Sequence, residues 1–95
     1  MYCKIHFNQG KEVFACCEKE LIGKKLDAKT DFEVSEYFYK EKKINEQELR
    51  ELLKEQENIN LVGEKPVKIA LEQGLIAEKN IIKVGKFKHA IIIKV

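Results

Sequence analysis

The chain begins and ends with patterns typical of β-hairpins, and this feature limits the folds that its 95 residues can adopt. In the first segment, YCKIHF-NQG-KEVFAC, apolar and polar residues alternate around a Gly-containing loop. The last segment, NIIKVGKFKHAIIIKV, divides into two strands around Gly85-Lys86, which suits a type II′ turn. Both ends of the chain are therefore expected to enter a β-sheet.

The first hairpin has a predicted register. Asn8, Gln9 and Gly10 suit a three-residue loop in which Gly10 takes the left-handed conformation. Such a loop places apolar residues of both strands on one face. The predicted pairs are Phe7 with Lys11, Ile5 with Val13, Cys3 with Ala15, and His6 with Glu12.

Two helices are predicted between the hairpins. In INEQELRELLKEQENI, Asn45 can cap the helix and Glu48 stands at the reciprocal capping-box position. In NLVGEKPVKIALEQGLI, Pro66 suits the first turn and Gly74 suits the C-terminal cap. The short segment DFEV, which precedes the helices, is predicted to be a third strand.

The expected architecture is a single compact α+β domain over residues 1–95. It contains an N-terminal hairpin, a short third strand, two helices and a C-terminal hairpin, packed as a sheet plus helices. In the last strand, Ala90 to Ile93 form an apolar run that we expect to be buried. The length suits one modest core and no second domain.

Composition indicates a cytoplasmic protein without a membrane segment. The N-terminus lacks the pattern of a secretory signal, and no apolar stretch approaches the roughly 20 residues that span a bilayer. Three cysteines, an odd number, do not form a disulfide framework and suit a reducing compartment. The 18 basic and 16 acidic residues are mostly Lys and Glu, a composition typical of thermophiles.

The adjacent Cys16 and Cys17 suggest thiol or metal chemistry, but their position on a strand argues against both. Neighbours on a strand point to opposite faces, and zinc sites require four ligands at spacings that this chain lacks. We therefore predict buried structural cysteines, no metal, no cofactor and no catalytic residue. The chain is not expected to be an enzyme, although the sequence does not decide this.

Positive charge is concentrated toward the C-terminus. Residues 45–58 contain two basic and five acidic residues, whereas residues 59–95 contain seven basic and three acidic ones. In the last hairpin Lys83 should face Lys88, a like-charge pair that stability alone does not favour. The Gly-Lys-Lys after the cysteines adds two more lysines. The candidate nucleic-acid-binding residues are Lys24, Lys25, Lys83, Lys86, Lys88 and His89.

Two further binding features leave alternatives open. Gly63 and Lys65 precede the second helix and could bind an anion, although the glycine spacing of a phosphate-binding loop is absent. Tyr37, Phe38 and Tyr39 could stack on RNA bases, or they could fill the core. His89 could likewise be functional or could make an ordinary hydrogen bond at a strand end.

Three segments together resemble the small archaeal family named domain of unknown function 424. They are ACCEKELIGKKL, NLVGEKPVKIALEQGLI and HAIIIKV, and the best-matched runs are Cys17–Lys24 and Asn60–Glu64. The chain departs from the family pattern at Lys88, where a proline usually precedes the histidine. It also departs at Lys40-Glu41, where a glycine pair often follows Phe-Tyr. The resemblance implies an archaeal cytoplasmic source, a compact α/β fold and no established activity. It also implies that the protein is associated with translation or RNA.

The sequence thus predicts a non-catalytic RNA- or ribonucleoprotein-binding module linked to translation. The alternative is a protein-interaction or assembly domain that binds no nucleic acid. RNA affinity should fall steeply with salt, because counterion release drives it, whereas an apolar protein interface should respond weakly.

Overall fold

A computed structural model describes residues 1–94. Its helices are α1 (Glu36–Tyr39), α2 (Glu46–Glu55) and α3 (Glu64–Glu72), and short 3₁₀ turns span Lys19–Leu21 and Glu78–Asn80. Its strands are β1 (Tyr2–Asn8), β2 (Lys11–Cys17), β3 (Lys25–Asp27), β4 (Phe32–Glu33), β5 (Lys42–Lys43), β6 (Asn58–Val62), β7 (Ile82–Val84) and β8 (Phe87–Ile93).

Six strands form one mixed sheet in the order β5-β1-β2-β6-β8-β7, and β3 pairs with β4 in a separate small sheet. Strands β2 and β6 are parallel, whereas the other neighbours in the large sheet are antiparallel. The parallel connection from β2 to β6 passes through the small sheet, α1, β5 and α2. The α+β class and both terminal hairpins are therefore confirmed.

The central strand β6 differs from the prediction, which divided its residues between the end of the first helical segment and the start of the second. Ile59, Leu61 and Val62 are almost fully buried between β2 and β8. The segment is short, and its alternation of asparagine with Ile59 and Leu61, which is typical of a half-buried strand, covers only four residues before Gly63. Here the neighbours on both sides decide in favour of a strand.

The predicted register of the first hairpin is wrong by one residue. Gln9 and Gly10 both have positive φ angles, 51° and 78°, and form a two-residue turn with Asn8 opposite Lys11. Turns of this kind match the right-handed twist of the strands, which favours them over the predicted three-residue loop. The observed pairs are Phe7 with Glu12, His6 with Val13, Ile5 with Phe14, and Cys3 with Cys16.

The predicted third strand is present as β4, in the small sheet. The segment containing Phe32 pairs with β3 and contributes no strand to the large sheet. Phe32 and Val34 nevertheless pack in the same cluster, as an inward-facing pair should. The small sheet therefore acts as a cover for one face of the large one.

Helices α2 and α3 cover the other face, which we call the helix face. The capping box of Asn45 and Glu48 is present in both directions, with backbone-to-side-chain distances of 2.8 and 3.0 Å. Gly74 has a φ of 73° and ends the α3 segment, and the Leu75 amide donates to the Ala70 carbonyl. Buried residues of the two helices and of the sheet pack together on this face. They include Phe14, Cys16, Leu49, Leu53, Ile59, Leu61, Val67, Ile69 and Ile92.

The opposite face, which we call the second face, is only half covered. The small sheet and α1 bury Ala15, Cys17 and Val62 near one end of the strands. Toward the other end, Ile91 and Ile93 are 55% and 70% exposed, so the prediction that Ala90 to Ile93 are all buried is wrong for these two. Alternation along a strand sends every second residue to a face that nothing covers here.

Candidate nucleic-acid interface

The candidate site is formed where the two parallel strands end. Because β2 and β6 run in the same direction, their carboxyl ends lie at the same end of the sheet, next to the start of β8. Most of the predicted binding residues follow β2, follow β6 or flank β8. We call this region the lysine end: Lys24 and Lys25 lie at the start of the small sheet over the second face, Lys86 lies in the hairpin turn, and Lys83 and Lys88 project from the helix face by strand alternation.

The turn of the last hairpin connects two parts of the lysine end that are far apart in sequence. Gly85 has a φ of 62°, and its backbone lies so close to the Leu26 carbonyl that a Cβ atom there would overlap it. Leu26 and Val84 belong to the same buried cluster. The Lys86 turn therefore lies against the strand that follows Lys24.

The predicted like-charge pair across β7 and β8 is confirmed, since Lys83 faces Lys88. Lys88 Nζ lies 3.1 Å from Glu64 Oε1 at the start of α3, and this interaction offsets part of the repulsion. Lys25 is likewise paired with Asp31, 2.6 Å away. Among residues 1–94, Lys24, Lys83 and Lys86 have no acidic partner within salt-bridge distance.

The start of α3, with Gly63 and Lys65, also lies at the lysine end. The Glu18 carboxylate accepts a hydrogen bond from the Glu64 amide at 2.8 Å. A Cβ on Gly63, whose φ is 111°, would come within 2.6 Å of Glu18 Oε2. An acidic side chain of the protein thus occupies the position that an external anion would take, and anion binding at Gly63 and Lys65 stays a prediction.

His89 lies beneath the second face and apart from the exposed lysines. It is 8% exposed, its Nε2 lies 3.2 Å from Asn60 Oδ1, and its ring meets Phe32 edge-on at 5.2 Å. The Tyr39 hydroxyl donates to the same Asn60 oxygen at 2.8 Å. Burial lowers the pKa of His89 and raises the pKa of Tyr39, so both are neutral near pH 7. This geometry matches the ordinary hydrogen bond that the sequence left open.

The three cysteines are buried, two of them on the helix face and one on the second face. Cys16 packs on the helix face and Cys17 on the second face, as strand alternation predicts. Cys3 faces Cys16, however, and not Ala15 as the incorrect register had it. Burial raises the pKa of all three thiols, that of Cys17 to about 12, so the reactive thiolate is disfavoured. Within residues 1–94 there is no cluster of three or more metal-ligating side chains.

The three neighbouring aromatic residues, Tyr37, Phe38 and Tyr39, have different environments, so the two interpretations apply to different rings. Tyr39 is buried, and Phe38 stacks on His6 with ring centroids 4.4 Å apart. Tyr37 is 77% exposed, and Lys4 Nζ lies 4.0 Å from the centroid of its ring. A single exposed ring remains where the sequence offered three.

The structure also reveals a shallow groove at the other end of the second face. It has a volume of about 350 Å³ and lies between the first hairpin and the ends of β6 and β8. Its polar and apolar lining includes Lys11, Val13, Asn58, Ile91 and Ile93. The alternation of Asn58 and Asn60 with buried residues indicates a strand with one polar face, which could have pointed to this groove. No strand is predicted there from the sequence, so the groove was missed.

No helix in the part of the chain that the structure describes has the length and apolar character needed to span a membrane.

The comparisons with other proteins give a family and a fold. A solved structure described as an uncharacterized conserved protein from Methanopyrus kandleri is similar to this chain with a TM-score of 0.76 and 27% identity. The match covers 99% of this chain and 92% of that one. No curated protein matches the sequence. The family model described as "Protein of unknown function (DUF424)" matches residues 6–95, and the chain therefore belongs to that family.

Proposed function

We propose that the protein is a non-catalytic RNA-binding module that contacts phosphates through the lysine end. The main support for this proposal is the close contact between Gly85 and the Leu26 carbonyl. This contact brings the Lys86 turn beside the segment that contains Lys24 and Lys25. Two basic segments that are some 60 residues apart in sequence thereby contribute to one surface. Lysine ammonium groups are point charges suited to backbone phosphates, which are shared by all RNA sequences.

The distribution of acidic residues supports the same surface. A second concave region, at the end of the sheet that carries the first hairpin turn, is lined by three acidic residues, Glu12, Glu55 and Glu57, and by two lysines, Lys11 and Lys94. The charged side chains of this lining have an excess of one acid, so an RNA is attracted less there than at the lysine end. The domain has a formal charge of only +2, so this separation matters more than the total.

Binding is favoured over catalysis by the state of the titratable groups nearest this end. His89, Cys17 and Tyr39 are held neutral in the core by burial. A general base or nucleophile must reach the reacting atom and carry the correct charge. The lysines of the exposed surface suit ion pairing with phosphates.

The test is a binding titration of Lys24→Glu with Lys86→Glu against one structured and one single-stranded RNA at two salt concentrations. We expect weaker binding to both RNAs and a salt slope lower by about one unit for each phosphate that the variant no longer neutralises. Both side chains are exposed, so the melting temperature should change little.

The matched control carries the same change of charge on the outer surfaces of α2 and α3, as Lys54→Glu with Lys68→Glu. This control should keep a larger share of the affinity and nearly the whole salt slope. Equal reductions in both variants would show that net charge alone governs binding. Absence of binding by the wild type above the weak non-specific level would reject the proposal and favour the protein-interaction function.

The setting of this function is also proposed. A link to translation and an archaeal source depend on the family resemblance, and the odd number of cysteines supports a cytoplasmic location. Ribosomal RNA fragments are therefore the first structured RNAs to titrate.

A further inference from the structure

The outer side of β8 changes character along the strand. Strand β7 pairs with β8 only from Phe87 to His89. Beyond that point β8 continues to Ile93 while still paired with β6 on its inner side. The last part of β8 is therefore a sheet edge, in contrast to its first part.

The hydrogen-bond pattern identifies which backbone groups lie at this edge. The Lys88 carbonyl accepts from the Gly63 amide, and the Lys94 amide donates to the Glu57 carbonyl. In an antiparallel pair only alternate residues bond to a given neighbour, so the even-numbered residues of β8 bond to β6. The N–H and C=O groups of Ile91 and Ile93 consequently point outward, and within residues 1–94 no strand pairs with them.

The side chains at this edge are apolar and exposed. Ile91 and Ile93 project from the second face, and Ile82 on the neighbouring β7 is 55% exposed on the same face. Soluble proteins protect open edges with charges, prolines, bulges or very short strands. Strand β5, at the other side of the sheet, follows this rule with two lysines, whereas Ala90 to Ile93 carry no charge and no proline.

We propose that the Ile91–Ile93 edge pairs antiparallel with the same edge of a second copy of this chain. With a twofold axis at Ile92, Ile91 lies opposite Ile93 of the other copy, and the reverse pair forms by symmetry. The four outward-pointing groups on each chain then find four complementary groups on its partner. The sheet becomes continuous through the two copies.

The side chains favour a second copy over an unrelated peptide. A twofold axis perpendicular to the sheet keeps the second faces of both copies on one side, where their four isoleucines become neighbours. No charged side chain lies between Ala90 and Ile93, so pairing introduces no like-charge repulsion within that stretch. The charge-bearing Lys94 is directed to the helix face, where its Nζ lies 2.6 Å from the Leu53 carbonyl.

The variant Ile91→Pro tests this pairing selectively. Because the Ile91 N–H points outward, proline removes no hydrogen bond within one copy but blocks pairing between two. The molar mass should be measured by sedimentation from micromolar to millimolar protein. We expect the wild type to become dimeric with rising concentration, and Ile91→Pro to remain monomeric with an unchanged fold by circular dichroism.

Two further variants complete the test. Ile91→Lys with Ile93→Lys places lysines opposite lysines across the twofold axis and should also abolish the dimer, which answers the question if the proline variant does not fold. Phe7→Lys removes another exposed apolar side chain, 75% exposed on β1, and should dimerise like the wild type. A wild type that stays monomeric at every concentration, or a folded double-lysine variant that dimerises equally well, would overturn the proposal.

Discussion

The two halves of β8 differ in environment although both are rich in apolar residues. From Phe87 to His89 the strand is paired with β7, and His89 and Ala90 are buried. From Ile91 to Ile93 it is paired on one side only, and two of its three side chains are exposed. The difference shows that the cover supplied by other segments, and not the apolar character of a strand, determines what that strand buries.

The largest expected effect is the difference in stability between alanine substitutions at Ile92 and at its neighbour Ile93. Ile92 is 5% exposed against the helix face, so Ile92→Ala should lower the free energy of unfolding by about 2–5 kcal/mol. Ile93→Ala should change it by no more than about 0.5 kcal/mol. Urea denaturation at low protein concentration, where self-association does not contribute, measures both. Similar destabilisation by the two substitutions would mean that the second face is covered in solution.

An intermediate effect is expected at Asn60, which serves the covered half of the second face. Asn60→Ala removes the acceptor shared by Tyr39 and His89 and should cost about 1–3 kcal/mol, because buried polar groups are then left without a partner. Asn58 is the matched control two residues earlier, and its amide donates only to the exposed Glu12 carbonyl at 3.2 Å. Thermal unfolding should show a clearly smaller shift for Asn58→Ala.

The smallest effect is a pH dependence that originates in the covered half. Burial lowers the pKa of His89 below its ordinary 6.5, so the unfolded chain binds a proton more readily than the folded one. The stability that depends on neutral His89 is fully present when the pH is above the pKa of this residue in the unfolded chain. It is lost progressively as the pH falls below that value. His89→Gln should therefore flatten the decline in melting temperature between about pH 7.5 and about pH 5.5. An identical decline in wild type and variant would contradict this account.

Local sequence signals predicted some elements well and others poorly. The capping box of Asn45 and Glu48 and the Gly85-Lys86 turn depend on residues that are neighbours in sequence, and both are present. The prediction of the first turn was wrong because Asn-Gln-Gly suits either a two-residue or a three-residue loop. Gln9 has a positive φ angle, which is uncommon for residues other than glycine. A shift of one residue there exchanged the partner of every side chain, including Cys3 and His6.

The candidate site was predictable as a set of residues but not as a surface. The excess of lysine after residue 59 and the facing of Lys83 and Lys88 could be inferred from sequence. The proximity of Leu26 to the Gly85 turn could not, because it depends on how the small sheet packs over the large one. The ion pairs of Lys25 and Lys88 are equally tertiary and distinguish these lysines from Lys24, Lys83 and Lys86.

By itself the sequence determined the α+β class, the capped helix α2, the last hairpin and the separation of Cys16 from Cys17, since each follows from periodicity or from contacts between near neighbours. Only the tertiary structure decided that Asn58–Val62 is a central strand parallel to β2, and that half of the second face remains open. The alternation around Asn60 is a local signal for a strand, but its pairing partners and the open half of the second face depend on contacts between segments distant in sequence, which burial energy selects.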